Sequence, residues 1–197
     1  MKRRFWLSAL AGTLFLVSST PNGIAAPKSA TNCEIGQVGP GGGRIFYKAS
    51  TKQKWGQCLE AAPLGWAGGR QDPKLPWCNV FDIYFTAAIA SHSYIGVTVG
   101  KGAANTNLLM IKGCSSGAGV AAHSYQGGGK KDWFLPSKNE LHAMYLNRAV
   151  IGGFGDGVYW SSSENDPNGA WVHYFKTNNQ YLRYKGIPNS VRPIRAF

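Results

Sequence analysis

Apolar and polar positions alternate along this chain in short blocks, with one uninterrupted apolar run near its start. That run, Phe5 to Val17, follows the basic head Lys2-Arg3-Arg4 and precedes a turn-prone segment and the small residues Ala25-Ala26. This order predicts a cleaved secretory signal over 1–26, because the run falls short of the about 20 residues that a spanning helix needs. A flexible leader over 27–34 and a folded region over 35–197 follow. Arg44 to Tyr47 and Cys58 to Ala62 read as short strands, the second stopped by Pro63. Residues 64–79 have no period and read as an irregular loop, and Phe81 to Ala90 fits strand or helix equally. Apolar positions at Ala104, Leu108, Leu109 and Ile111 predict a helix over 103–112, and a second short one runs over 118–125.

The strongest local signal is Asp132 to Leu141. A strand-like Trp133-Phe134-Leu135 reaches Pro136, and Ser137 then stands three residues before Glu140. This spacing is that of a capping box, in which hydroxyl and carboxylate each accept a backbone N–H at the helix start. Leu141, Met144 and Tyr145 put one face of that helix toward the core. The last third is β: Val158 to Ser162, Ala170 to Phe175, Gln180 to Tyr184, and Val191 to Ala196, where Pro193 points to an edge or a bulge. Trp133, Trp160 and Trp171 lie in strand-like runs and are expected in the core. The fold class expected is α+β, a compact domain with small antiparallel sheets, one or two capped helices and long irregular loops.

Composition changes the picture in two ways. The net charge is +12, of which Lys2, Arg3 and Arg4 carry three, and only nine acidic residues occur. A surplus of this size favours polyanionic partners such as sulfated or acidic polysaccharide, nucleic acid or anionic lipid, while its scatter fits equally a soluble protein that happens to be basic, and no specific nucleic-acid binding is expected. The four cysteines, Cys33, Cys58, Cys78 and Cys114, behind a signal suggest two disulfides. Sequence allows three pairings, with the sequential pairs Cys33–Cys58 and Cys78–Cys114 preferred. Zinc is disfavoured by the lack of ligand spacing.

Candidate chemistry is thin. Gly113-Cys114-Ser115-Ser116-Gly117 has the spelling of a nucleophile elbow but no strand before it. The glycine runs at 39–43 and 127–129 could cradle phosphate, although neither ends as a P-loop does, and turn chemistry explains them. His92, His123, His142 and His173 show no metal-ligand spacing. Glu164, Asp166 and Asn168, with Asn165, crowd oxygen ligands into one loop, a weak candidate for calcium beside the reading as an ordinary polar turn. Trp55, Trp66 and Trp77 lie in loop-like sequence, where a tryptophan can stack on a sugar or cover the core. Lys130, Lys131, Lys176, Arg183 and Lys185 are the cations expected to meet a polyanion.

Five blocks occur in order: Gly-Pro-Gly-Gly-Gly-Arg-Ile-Phe-Tyr (39–47), Leu-Glu-Ala-Ala-Pro (59–63), Asp-Trp-Phe-Leu-Pro-Ser-Lys-Asn-Glu-Leu (132–141), Tyr-Trp-Ser-Ser-Ser-Glu (159–164) and Val-Arg-Pro-Ile-Arg-Ala-Phe (191–197). Together they resemble the family named for the C-terminal domain of the Legionella collagen-like adhesin, across about 35–197. The resemblance implies a C-type-lectin-like fold and an adhesin-type role toward sulfated glycans. It implies structural roles for Trp133, Leu135, Pro136, Trp160, Arg192 and Pro193, and carries over no catalytic residue. The chain lacks the collagen-like stalk, which leaves its oligomeric state open. The expectation is therefore a secreted or surface-exposed binding module. Its rivals are an extracellular hydrolase drawing on the few acids (Glu60, Asp82, Asp132, Glu140, Asp156, Glu164, Asp166) and an assembly module without a small ligand.

Overall fold

The computed structural model describes residues 33–85 and 96–197. The signal, most of the leader, residues 86–90 of the ambiguous segment and His92 lie outside them. Arg44–Gln53 (β1) and Gly56–Ala61 (β2) form a hairpin. Lys74–Leu75 (β3) follows, then the helices Gly102–Ile111 (α1), Ala118–Ser124 (α2), Lys138–Leu146 (α3) and Arg148–Ile151 (α4). The strands Val158–Glu164 (β4), Gly169–Tyr174 (β5), Asn179–Tyr184 (β6), Asn189–Ser190 (β7) and Ile194–Ala196 (β8) end the chain. The architecture is α+β with two small sheets, ordered β1-β2-β8 and β3-β7-β4-β5-β6. All pairings are antiparallel except β4 with β7, which run parallel at Tyr159 and Ser190.

β4 is central and covered on both faces, so nearly every residue in it is buried. α3 packs on β4 and β5 of one sheet and on β1 of the other, which ties the sheets together. One core gathers Trp77, Phe85, Leu109, Leu135, Trp160 and Val191. The second gathers Phe46, Leu59, Phe134, Leu141, Met144, Tyr159, Phe175 and Ile194. No helix among the described residues is long and apolar enough to cross a membrane. Cys33 pairs with Cys58 and Cys78 with Cys114, at Cα separations of 6.0 and 5.6 Å.

Three local expectations need correction. β1 runs on to Gln53 through a polar stretch, because backbone pairing with β2 rather than burial holds that end. Of the expected strand Val191 to Ala196 only Ile194–Ala196 is strand, and 191–193 cross from β7 in one sheet to β8 in the other. Pro193 has no N–H to donate, and between the strands its carbonyl accepts from Ala62 at 2.9 Å. Trp171 is half-buried instead of core, with the Lys138 ammonium 3.3 Å from its ring centre.

Candidate functional site

The residues expected to meet a ligand do not converge. Trp77 is wholly buried in the first core and donates its indole N–H to Ser161 O at 2.7 Å. This is a correction: its loop-like sequence lies over the sheet as packing. Trp66 is half-buried against Tyr125 and donates to Asp72 and to Val191 O. Trp55 stands half-buried at the β1–β2 turn. Lys130 and Lys131 follow a 3-10 turn at Gly127–Gly129, whereas Lys176 and Arg183 belong to the β5–β6 hairpin.

Lys185 is the second correction. Its ammonium is fully buried and donates to Glu164 Oε2 at 2.8 Å, Pro167 O at 2.6 Å and Ile83 O at 3.0 Å. Burial pulls its pKa down, and the Glu164 carboxylate pulls it back up. This lysine is an internal cation among the loop oxygens considered for calcium. Asp166 Oδ1 accepts the N–H groups of Asn168 and Gly169, closing the turn on itself, and the Asn168 carbonyl accepts from the Lys185 amide. No group of three or more His, Cys, Asp or Glu among the described residues could hold a metal.

The first glycine run does cradle an anion, but an internal one. Gly41 and Gly43 donate their N–H groups to the buried Glu60 carboxylate at 2.9–3.1 Å, and Arg195 completes the cage at 2.9 Å. A methyl on Gly41 would collide with Glu60 and Trp133, and one on Gly43 with the Ala61 carbonyl. Arg195 also donates to Asp132, and with these partners its guanidinium pKa stays above the ordinary value despite burial. Four of the five sequence blocks therefore meet in one network. The elbow-like 113–117 segment joins α1 to α2 around the Cys114 disulfide, and Asn79 Oδ1 accepts the N–H groups of Ser115 and Ser116.

Two concavities among the described residues bear on binding. The larger, about 510 Å³, lies between the 64–74 loop and the glycine-rich 153–157 turn. Its floor is a locked set: Arg192 holds Asp72 through two bonds of 2.6 and 2.7 Å, and the Tyr159 hydroxyl donates to the same carboxylate at 3.0 Å. The Arg192 guanidinium also lies 4.6 Å from the Phe154 ring. The ion pair neutralises the floor and fixes it. The rim carries Arg70, Lys74 and Asp156, all exposed and none with a side-chain hydrogen-bond or ion-pair partner among the described residues. Phe154 supplies an aromatic wall, and Gln71 and Ser190 supply polar groups.

No protein-family model matches the chain, and no curated protein matches it.

The smaller concavity, about 200 Å³, is lined by Trp55, Gly100, Ala103, Asp132, Phe134, Glu140 and Ala196. Glu140 completes the expected capping box with Ser137 and also accepts from Gly100 at 2.6 Å. Gly102 bonds to it as well, so one carboxylate serves the starts of both α3 and α1. Burial still pushes its pKa up, against the pull of those bonds.

No spacing rule points to a further pair. His142 on α3 and His173 on β5 stack at 5.4 Å, with Tyr145 4.7 Å from the His173 ring. Asn178 bonds to His173 Nε2, while Nδ1 of both rings has no partner among the described residues. Burial, then the neighbouring His142, lowers the His173 pKa to about 4.

Of the foreseen ligand residues, only Trp55 lines either concavity. Arg70 and Lys74 were missed because nothing in an aperiodic loop marks which charges face a cleft. Their one signal is position: they flank Asp72, an acid inside a basic loop that needs a buried cation.

Proposed function

We propose that the protein is a binding module working outside the cytoplasm, and that it takes an anionic glycan in the larger cleft. One observation carries this reading: two partnerless cations, Arg70 and Lys74, stand beside the Phe154 wall over a floor whose own charges are already paired. Free cations at the rim can meet carboxylate or sulfate without first breaking an internal pair. The aromatic wall offers an apolar face to a sugar ring. Without Lys2, Arg3 and Arg4 of the expected signal the net charge is 12 − 3 = +9, which raises encounter rates with any polyanion. The two disulfides support an oxidising compartment. The resemblance to the collagen-like adhesin family, with its lectin-like fold, points the same way and rests on the five sequence blocks.

Retention on immobilised sulfated polysaccharide in a salt gradient tests the proposal. Exposed charges are screened within about 8 Å at physiological ionic strength, so elution should depend steeply on salt. R70A/K74A should elute at clearly lower salt than K130A/K131A, which removes the same charge elsewhere. Equal elution of the two variants rules out the cleft. Wild-type elution no later than a neutral protein of this size rules out the polyanion.

A further inference from the structure

The smaller concavity carries an inference of its own, independent of the larger cleft. Its walls are mostly apolar: Trp55 and Phe134 with Gly100, Ala103 and Ala196 between them. Its polar members are two carboxylates. Asp132 is exposed at the mouth, with one oxygen engaged by Arg195. Glu140 is wholly buried in the wall. Among the described residues, the ion pairs join Lys185 to Glu164, Arg192 to Asp72, and Arg195 to Glu60 and Asp132. Glu140 has none. Its oxygens are held by backbone N–H groups at two helix starts and by the Ser137 side chain, which supply partial charge and no full counter-ion.

A buried carboxylate without a cation is costly, and it lies beside open space. On a chain with a positive surplus and only nine acidic residues, two of them, Asp132 and Glu140, line this pocket, and no lysine or arginine does. This spot therefore has the opposite sign to the molecule as a whole. An indole wall next to carboxylates is the combination that attracts an organic cation, and tryptophan is the best aromatic partner for one. A methyl on Gly100 would overlap the Trp55 indole, so the glycine lets that ring lie against the start of α1. The volume, about 200 Å³, holds six or seven waters at about 30 Å³ each, room for a headgroup and not for a polymer.

We propose that this pocket binds an organic ammonium group, seated on Trp55 between the carboxylates of Asp132 and Glu140. Both a quaternary ammonium headgroup and the ammonium of an amino sugar have this chemistry, and the two can be told apart by titration.

The test follows the Trp55 indole N–H by NMR, at constant ionic strength, in the full secreted chain. Choline chloride and glucosamine hydrochloride are the cationic probes. The neutral isostere 3,3-dimethylbutanol and glucose are their controls. A saturable shift with at least one cation below about 10 mM is expected, a limit ten times weaker than a millimolar ligand. Its neutral counterpart should bind at least tenfold more weakly. Asp132→Asn, at the exposed mouth, should weaken the cation about tenfold and leave the neutral control unchanged. Trp55→Ala removes that reporter and is followed instead on the backbone amides of Gly100 and Ala103, where it should abolish saturation while the far-UV circular dichroism is retained. No saturation by either cation, or equal response to cation and isostere, overturns the proposal and leaves Glu140 a purely structural bridge between two helices.

Discussion

Glu60 and Glu140 are two answers to the same problem. Each is a wholly buried carboxylate, and each is gripped by backbone N–H groups of glycines far away in sequence. Glu60 also has Arg195 at 2.9 Å, whereas Glu140 has neutral donors, three backbone N–H groups and the Ser137 side chain. The contrast shows what a counter-ion adds. Glu60 closes a structural knot that joins the glycine loop to β2 and β8. Glu140 keeps an uncompensated charge on the wall of a pocket.

The largest way to break the contrast is to make Glu60 resemble Glu140. Arg195→Met removes the cation and leaves Glu60 buried beside an unpaired Asp132. Removing one partner of a buried pair typically costs about 3–5 kcal/mol. The urea midpoint should fall accordingly, with little change in slope. A loss under about 1 kcal/mol would mean that the Gly41 and Gly43 amides hold the carboxylate unaided, and the contrast would vanish.

Next in size is the pH response, to which Glu140 and His173 contribute with opposite sign. His173 has its pKa lowered to about 4 from an ordinary value near 6.5. Between those values the unfolded chain binds the proton and the folded one does not. Its stabilising effect is therefore complete above pH 6.5 and is lost as pH falls toward 4, by about 3 kcal/mol at most. His173→Phe keeps an aromatic ring against Tyr145 and Phe175 and should flatten that part of the urea-midpoint profile. A profile unchanged between pH 6.5 and 4 in the variant would assign the acid sensitivity elsewhere.

Gly43→Ala sharpens the contrast at backbone level. Its methyl would collide with the Ala61 carbonyl inside the β1–β2 hairpin, where packed backbone gives little. Overpacking of this kind costs about 1–3 kcal/mol. Gly42→Ala meets no neighbour, yet its φ of 81° strains any side chain, so it should cost about 1 kcal/mol. Thermal melts that rank the two the other way would mean the cradle can widen.

These residues also show how far the sequence could be read. The capping box at Ser137 and Glu140 was legible because it is local, three residues apart. The second role of Glu140 was not, since Gly100 lies forty positions away and no spacing rule links them. Lys185 and Glu164 were each noticed, one as a cation and one as an oxygen ligand. Nothing in either short segment says that they face each other inside the molecule. The α+β class and the strands β4, β5 and β6 followed from alternation. Trp77 did not, because burial of an aperiodic loop depends on which sheet it crosses. The cleft was invisible for a related reason: its two sides, 64–74 and 153–157, carry no period and meet only in three dimensions.

The smallest effect is the most discriminating. Glu140→Gln keeps shape but removes the charge, so the carboxylate's bonds to Ser137, Gly100 and Gly102 weaken or reverse. Lost capping costs about 1 kcal/mol, and removal of an unpaired buried charge offsets part of it. The net change at neutral pH should be small, and the pH dependence carries the information. Burial raises the Glu140 pKa above its ordinary 4.5 even though three N–H groups oppose it. From 4.5 up to that raised value, the folded state holds a proton that the unfolded state has released. The contribution of Glu140 is then complete below 4.5 and declines as pH rises through the window. Wild type should therefore exceed the Gln variant by more at pH 4.5 than at pH 7. If the two helix starts instead compensate the charge as fully as Arg195 compensates Glu60, the gap will widen toward pH 7. In that case the pocket wall carries no unmet demand for a cation.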